Sequence, residues 1–176
     1  MAFGGAFMKI DIGALIRGEV DTVRVDYTME VSPLSDVTFT DKAHVFGVIS
    51  GNAGYTRLVL DVSVPYVTEC ARCLEEINGV FETVVERTCV TEKSVSREEL
   101  EENEDEYVII KENSVDPDDA VDATVFFEFP KKLLCSEDCQ GLCPTCGKKI
   151  TDGHSCGGNK KKLDPRFAAL ENLFDE

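Results

Sequence analysis

Apolar and polar residues alternate along much of the first 90 residues, with a period of two rather than the 3.6 residues of a helix. The clearest alternating runs cover residues 23–29, 43–49 and 58–64. Such alternation is typical of strands that bury one face and expose the other. Turn-forming residues at 50–54 separate the second run from the third, so we predict a hairpin over residues 43–67. A fourth strand is predicted over residues 79–90.

The middle of the chain changes to a helical pattern. The pair Asp116–Pro117 combines an N-cap residue with a proline at the first helical position. Apolar residues then recur every four positions, at Val121, Val125 and Phe129. We therefore predict a helix to about residue 129. The alternative is a strand, because residues 124–129 are rich in β-branched and aromatic side chains.

The segment before this helix is strongly acidic. Residues 98–122 contain twelve acidic side chains and a single basic one. Like charges at this density oppose compaction. We predict a mostly solvated acidic loop, interrupted by a short strand at residues 107–110.

Composition limits the class of protein. The chain has 176 residues, of which 43% are hydrophobic, and 34 acidic against 18 basic residues give a net charge of −16. This charge disfavours non-specific coating of nucleic acid. The sequence shows neither an apolar run of the roughly 20 residues that span a membrane nor the pattern of a secretory signal. We expect a cytoplasmic protein with no membrane partner.

Eight cysteines require an explanation. In a reducing compartment, metal binding is the expected use, rather than disulfide formation. The clearest motif is Cys143-Pro-Thr-Cys146 followed by Gly147, because two thiolates two residues apart reach one tetrahedral ion at about 2.3 Å. A second Cys-x-x-Cys motif, from Cys70 to Cys73, falls where one predicted strand ends and before the next begins.

Further candidate ligands flank the Cys143–Cys146 motif in the sequence. Cys135 and Cys139 are spaced C-x3-C, and His154 and Cys156 follow the motif. Residues 139–162 include only two large apolar side chains, which is too little burial to offset about 1 to 2 kcal/mol of backbone entropy per residue. A bound metal ion supplies the missing stabilisation.

Seven cysteines and one histidine make two sites of four ligands. The preferred partition joins Cys70, Cys73, Cys135 and Cys139 in one site and Cys143, Cys146, His154 and Cys156 in the other. An alternative partition joins the two Cys-x-x-Cys turns in one ribbon-like site. Zinc is the predicted metal, and iron is the alternative for tetrahedral sulfur ligation. The eighth cysteine, Cys89, lies within a strand pattern and is predicted to be an ordinary buried residue.

Catalytic motifs do not appear in the sequence. It lacks a Ser/His/Asp arrangement, a phosphate-binding glycine loop and a metalloprotease motif. A thiol redox function for a Cys-x-x-Cys pair is the remaining enzymatic alternative, but it requires a βαβ context that the alternating pattern does not provide. His44 lies in a strand pattern and is predicted to be a surface or hydrogen-bonded histidine.

Charge is distributed unevenly along the chain. Residues 1–129 carry ten bases and 27 acids, whereas residues 130–167 carry eight bases and four acids. The run Lys160–Lys162 beside the candidate metal ligands is suited to phosphate contacts or to a solvated linker. The acidic part is suited to a basic partner such as a ribosomal protein, or to solubility alone.

The predicted fold is α+β: a mainly antiparallel β-sheet with a middle helix, a Cys-rich zinc-binding segment and a C-terminal helix. The pair Asp164–Pro165 opens this last helix, which packs back through its apolar side chains at Phe167, Leu170 and Phe174. The β-rich part covers residues 1–132 with its acidic loop at 98–122. The Cys-rich segment covers 133–163 and the last helix 164–176, all within one unit.

Several motifs follow one another in a recognisable order. Residues 69–74 read ECARCL after a strand, Leu134-Cys135 follows the acidic loop and Pro130, residues 139–147 read CQGLCPTCG, and Asp164-Pro165-Arg166 precedes the final apolar residues. This order resembles the bacterial YceD-like family, whose members are associated with accumulation of large-subunit ribosomal RNA. The resemblance implies an accessory factor for the processing of that RNA or for ribosome assembly, without an established enzymatic activity. Its expected partner is ribosomal RNA or a basic ribosomal protein.

Overall fold

The architecture is known from a computed structural model that describes residues 8–52, 55–91, 94–103, 105–151 and 153–156. Within these residues, strands outnumber helices. In chain order the elements are β1 (Ile10–Asp11), α1 (Gly13–Ile16), β2 (Thr22–Met29), β3 (Val37–Phe39), β4 (Ala43–Asn52), β5 (Tyr55–Glu69), β6 (Glu76–Thr91), α2 (Arg97–Glu102), β7 (Tyr107–Ile110), β8 (Ser114–Val115) and α3 (Asp118–Glu128).

The main sheet contains the predicted hairpin. Its strand order is β2-β4-β5-β6-β7, and β3 pairs with β5 near the end of that strand. The β2–β4, β4–β5 and β5–β6 pairs are antiparallel, which confirms the hairpin predicted over residues 43–67 and the fourth strand. The β5–β6 hairpin extends to the pair Glu69↔Glu76, so the turn that joins these strands lies at the end of the sheet.

One face of the sheet carries the core. Alternate residues of β5 are buried there, at Leu58, Leu60, Val62 and Val64. Helix α3 covers this face with Val121 and Val125, which confirms the predicted helix over the alternative strand. Cys89 belongs to the same core, as predicted. Burial of these apolar side chains is the main force that holds the sheet and α3 together.

The acidic segment differs from the prediction. It was expected to be mostly loop, but it contains helix α2, strands β7 and β8 and the start of α3. Helix α2 forms because Ser96 caps it, accepting a hydrogen bond from the Glu99 N–H at 3.2 Å, and because acidic residues favour the first turn of a helix. The predicted strand at 107–110 is confirmed as β7, although it pairs with β6 in parallel.

The fold class is α+β with a mainly antiparallel sheet, as predicted. The predicted C-terminal helix and the run Lys160–Lys162 lie outside the described residues. In the part of the chain that the structure describes, no helix combines the length and apolar character needed to cross a membrane.

Candidate metal centre

The first Cys-x-x-Cys motif forms the turn between β5 and β6, here called knuckle 1 (residues 70–75). The Cys70 N–H donates to the Glu75 carbonyl at 2.7 Å, and the Leu74 N–H donates to the Cys70 carbonyl at 3.0 Å. These bonds require Leu74 to adopt a left-handed conformation, with φ of 61°. The sheet thereby fixes both cysteines of the turn at its end.

The second motif forms the same turn, here called knuckle 2 (residues 143–148). The Cys143 N–H donates to the Lys148 carbonyl at 2.7 Å, and the Gly147 N–H donates to the Cys143 carbonyl at 2.8 Å. Gly147 has a φ of 71° and occupies the position equivalent to Leu74 of knuckle 1. Two separate parts of the chain therefore adopt one local structure, in which the two cysteines have the same backbone setting.

Knuckle 1 is the base of a four-cysteine group, here called cluster 1 (Cys70, Cys73, Cys135 and Cys139). Its four Sγ atoms all lie within 4.8 Å of one another. The Cys70–Cys139 separation is 3.7 Å and the Cys73–Cys135 separation is 3.5 Å. Both are far longer than the disulfide bond of about 2.05 Å. They match the edge of about 3.8 Å in a tetrahedron of sulfur atoms placed 2.3 Å from a central ion.

Hydrogen bonds bring the distant cysteines of cluster 1 to knuckle 1. The Ala71 N–H donates to the Leu133 carbonyl at 2.9 Å, and the Cys135 N–H points to the Cys70 Sγ at 3.4 Å. The Arg72 guanidinium donates to the Cys139 carbonyl at 2.7 Å. The segment that follows α3 is thus attached to the end of the sheet, and Cys70, Cys73 and Cys139 are buried there.

The remaining candidates form cluster 2 (Cys143, Cys146, His154 and Cys156). Their ligand atoms also lie within 4.8 Å of one another. The Cys146 Sγ is 3.6 Å from the His154 Nε2, which equals the separation of about 3.6 Å expected when sulfur at 2.3 Å and nitrogen at 2.0–2.1 Å share a tetrahedral ion. The His154 N–H donates to the Thr151 carbonyl at 2.9 Å, so a local turn presents this imidazole to knuckle 2.

Each knuckle favours the thiolate form of its first cysteine. Burial opposes ionisation of the Cys70 thiol, but N–H groups of Cys135, Arg72 and Cys73 outweigh it and lower the pKa to about 6. The N–H groups of Cys146 and Thr145 have the same effect on Cys143, whose pKa is about 6. Because the thiolate is the species that binds metal, both turns are prepared for an ion.

Cys73 and Cys135 of cluster 1 have a raised pKa and resist ionisation without an ion. The pKa of Cys73 is raised to about 12, because burial and the neighbouring thiols outweigh a hydrogen bond from the Glu75 N–H. Several thiolates at these distances repel one another, and a divalent cation among them removes the repulsion. The two clusters therefore have the ligand chemistry and geometry to hold a metal ion.

The structure gathers all eight predicted ligand residues, in the two groups of the preferred partition. It does not place the two Cys-x-x-Cys turns in one group, as the alternative partition required. His44 is exposed and lies 2.8 Å from an Asp26 carboxylate oxygen, as predicted for a surface histidine.

Glu75 lies beside cluster 1 but was not predicted from the sequence. Glu75 accepts an ion-pair hydrogen bond from Lys149, and its Oε2 lies 3.9 Å from the Cys73 Sγ. The lysine also approaches the Cys135 Sγ at 3.7 Å. An acidic residue two positions after Cys73 carries no sequence signal for this contact, which depends on the distant Lys149.

The mainly antiparallel sheet and the two cysteine clusters define an α+β protein with two candidate metal sites. Comparison with known proteins gives its family. A family model described as "Large ribosomal RNA subunit accumulation protein YceD" matches residues 58–174, a range that includes both clusters. The chain belongs to this family.

Each of three curated bacterial relatives matches a little under two thirds of the chain. A protein of Mycobacterium tuberculosis and one of Mycobacterium bovis, both described as uncharacterized, are each 32% identical over 113 residues, which is 64% of this chain and 53% of theirs. An uncharacterized protein of Mycobacterium leprae is 27% identical over 115 residues, or 64% of this chain and 50% of its own. The chain thus spans about half the length of the curated relatives it matches. No solved structure matches the chain.

Proposed function

We propose that each cluster binds one structural zinc ion. The support is geometric: two equivalent knuckles, sulfur and nitrogen separations suited to a tetrahedral ion, and thiols prepared for ionisation. Zinc is favoured over iron because cluster 2 mixes thiolates with an imidazole, a donor set typical of structural zinc sites. When bound, zinc supplies a fixed cross-link between the ligands.

Four protein ligands around each ion leave no position for water or substrate. Catalytic zinc sites keep one position open, whereas closed four-ligand sites are structural. We therefore propose a non-enzymatic role for the clusters and for the protein. The zinc ions would order residues 133–156, a segment with few large apolar side chains, against the end of the sheet.

The proposed function of the protein is that of a cytoplasmic accessory factor for the accumulation or processing of large-subunit ribosomal RNA. The observation that carries this proposal is the family match over residues 58–174, which covers most of the β5–β6 hairpin, α3 and both clusters. An assembly factor of this kind acts by binding a precursor of the subunit rather than by transforming it. Residues 130–167, which include the zinc-ordered segment and carry eight bases and four acids, are the part suited to RNA contact.

The test is to deplete the protein in its host and to measure large-subunit relative to small-subunit ribosomal RNA. We expect the ratio to fall, to recover with the wild-type chain, and not to recover with a Cys70→Ser, Cys73→Ser double variant. A Cys89→Ala variant is the matched control, because Cys89 is buried but belongs to neither cluster. An unchanged ratio after depletion would reject the function.

A second candidate function is that of an acidic binding protein for a basic ribosomal protein. It is favoured by an open groove beside knuckle 1, in which the exposed side chains of Leu74, Phe126 and Phe127 meet the acidic residues Glu69 and Glu76. The groove is also lined by Asp36 and by one base, Lys131, so its acidic residues outnumber its basic ones and suit a Lys- or Arg-rich segment with apolar residues. Sedimentation of cell extract distinguishes the two functions, because RNase treatment abolishes co-sedimentation through RNA but leaves a one-to-one protein complex intact.

A further inference from the structure

Lys149 connects the two clusters. Its backbone belongs to the second, because it follows knuckle 2 directly and forms a β-bridge with Leu142. Its side chain reaches the first, where the ammonium group pairs with Glu75 and lies 3.7 Å from the Cys135 Sγ. One residue thus takes its position from cluster 2 and places its charge at cluster 1.

The backbone between the clusters is also short and closely packed. Three residues separate Cys139 of cluster 1 from Cys143 of cluster 2. Within them, Gly141 accepts a hydrogen bond from the Ile150 N–H at 2.9 Å and has a φ of 80°. A Cβ at this position would lie 3.0 Å from the Arg72 carbonyl, so knuckle 1 packs directly against this connection. Displacement of knuckle 2 would therefore shift the residues of cluster 1.

Electrostatics gives Lys149 a specific role at cluster 1. Four thiolates around a divalent ion carry a net charge of −2, and the Glu75 carboxylate lies beside them. Without a cation between them, this carboxylate and the thiolates of Cys73 and Cys135 would repel one another. The Lys149 ammonium group compensates the negative charge of the carboxylate and of the thiolates. The same contacts raise the pKa of Lys149, with the Glu75 hydrogen bond as the largest cause.

We propose that Lys149 couples the two metal sites, so that an ion bound in cluster 2 increases the affinity of cluster 1 for its own ion. The ion in cluster 2 holds knuckle 2 and the Leu142–Lys149 bridge in place, and this holds the ammonium group against Cys135 and Glu75. The inference rests on the proposed function of both clusters as metal sites. Coupling is reciprocal, so an ion in cluster 1 also favours binding in cluster 2.

Cobalt(II) titration of the metal-free full-length chain tests the coupling, with absorption spectra as the readout. A four-sulfur site and a three-sulfur, one-nitrogen site give different cobalt spectra, so the two clusters are followed separately. We expect Lys149→Met to weaken cobalt binding at cluster 1 about tenfold, the lower end of the effect typical of residues that support metal ligands, because this side chain is 35% exposed. Cluster 2, titrated with cluster 1 already occupied, should lose affinity by the same factor, because coupling between two binding sites is reciprocal.

The matched control is Lys148→Met, which removes the same charge from the exposed neighbouring lysine and should leave cluster 1 unchanged. A Cys143→Ser, Cys146→Ser variant removes cluster 2 and should weaken cluster 1 by a factor similar to that of Lys149→Met. Adding Lys149→Met to that variant should cause little further loss, because the coupling is already absent. Circular dichroism of each variant verifies that the sheet remains folded.

Three results would overturn the coupling. They are equal cobalt affinity of cluster 1 in the wild type and in Lys149→Met, equal loss in Lys148→Met and Lys149→Met, and fully additive losses when Lys149→Met is combined with removal of cluster 2. Failure of the metal-site proposal itself is distinguishable, because the wild-type chain would then show no tetrahedral cobalt spectrum at all.

Discussion

Clusters 1 and 2 are built on the same turn but differ in what surrounds it. Knuckle 1 ends a long hairpin, its cysteines are buried, and its partners Cys135 and Cys139 lie more than 60 residues away in sequence. Knuckle 2 has no strand of the main sheet beside it in sequence, Cys146 is exposed, and its partners are His154 and Cys156, ten residues or so further along.

The comparison separates what local sequence determines from what tertiary setting determines. Both Cys-x-x-Cys motifs form the same turn, each with a residue at positive φ four positions after its first cysteine. The tertiary surroundings of each turn determine which segments a bound ion would connect. At cluster 1 it would close a long loop and fasten the segment after α3 to the sheet, whereas at cluster 2 it would close only a short loop and would act on cluster 1 through Lys149.

The largest difference should appear when each cluster loses one ligand. Cys70→Ser should release residues 133–140 from the sheet and lower the Tm on the order of 10 °C, since it removes a cross-link over a long loop. Differential scanning calorimetry measures the change in Tm, and elemental analysis measures the loss of zinc from cluster 1. Cys89→Ala is the control for loss of a buried sulfur, and it should retain all bound zinc. A Tm equal to that of the wild type in Cys70→Ser would contradict a cross-linking role for cluster 1.

Loss of a ligand in cluster 2 should have a local effect. Cys143→Ser should expose the bonds after Lys148 and Lys149 to trypsin while the far-ultraviolet circular dichroism of the sheet changes little. Thr145→Ser, between the same two ligands, is the matched control and should leave the digestion pattern unchanged. If Cys143→Ser lowered the Tm as much as Cys70→Ser, the contrast between the two clusters would be wrong.

The smallest effects should come from the residue at positive φ. Gly147→Ala should destabilise knuckle 2 by about 1 kcal/mol, whereas Leu74→Gly should stabilise knuckle 1 by a similar amount, because a side chain is strained in this conformation. Leu74 is 59% exposed, so its removal sacrifices little burial. Chemical denaturation measures the free energy of unfolding of Leu74→Gly, and chelator competition measures the metal affinity of Gly147→Ala. Equal signs for the two changes would show that the turns are not equivalent.

Much of this arrangement could be predicted from the sequence, and the reasons are local. Alternation placed the long strands, Asp116–Pro117 placed the start of α3 to within one residue, and cysteine spacing identified both knuckles. The short strands β1, β3 and β8 escaped prediction, because two or three residues carry no periodicity and their pairing is decided by tertiary contacts. The parallel pairing of β7 and the contact of Lys149 with Glu75 depend on how distant segments meet, which no local pattern records.

The most direct test of the account is the zinc content of the protein, purified anaerobically without added metal or chelator and measured by elemental analysis. We predict two zinc ions per chain in the wild type, and one in a Cys143→Ser, Cys146→Ser variant that retains its sheet. A well-folded wild-type chain that contains neither zinc nor iron would contradict the claim that metal ions order the cysteine-rich segment.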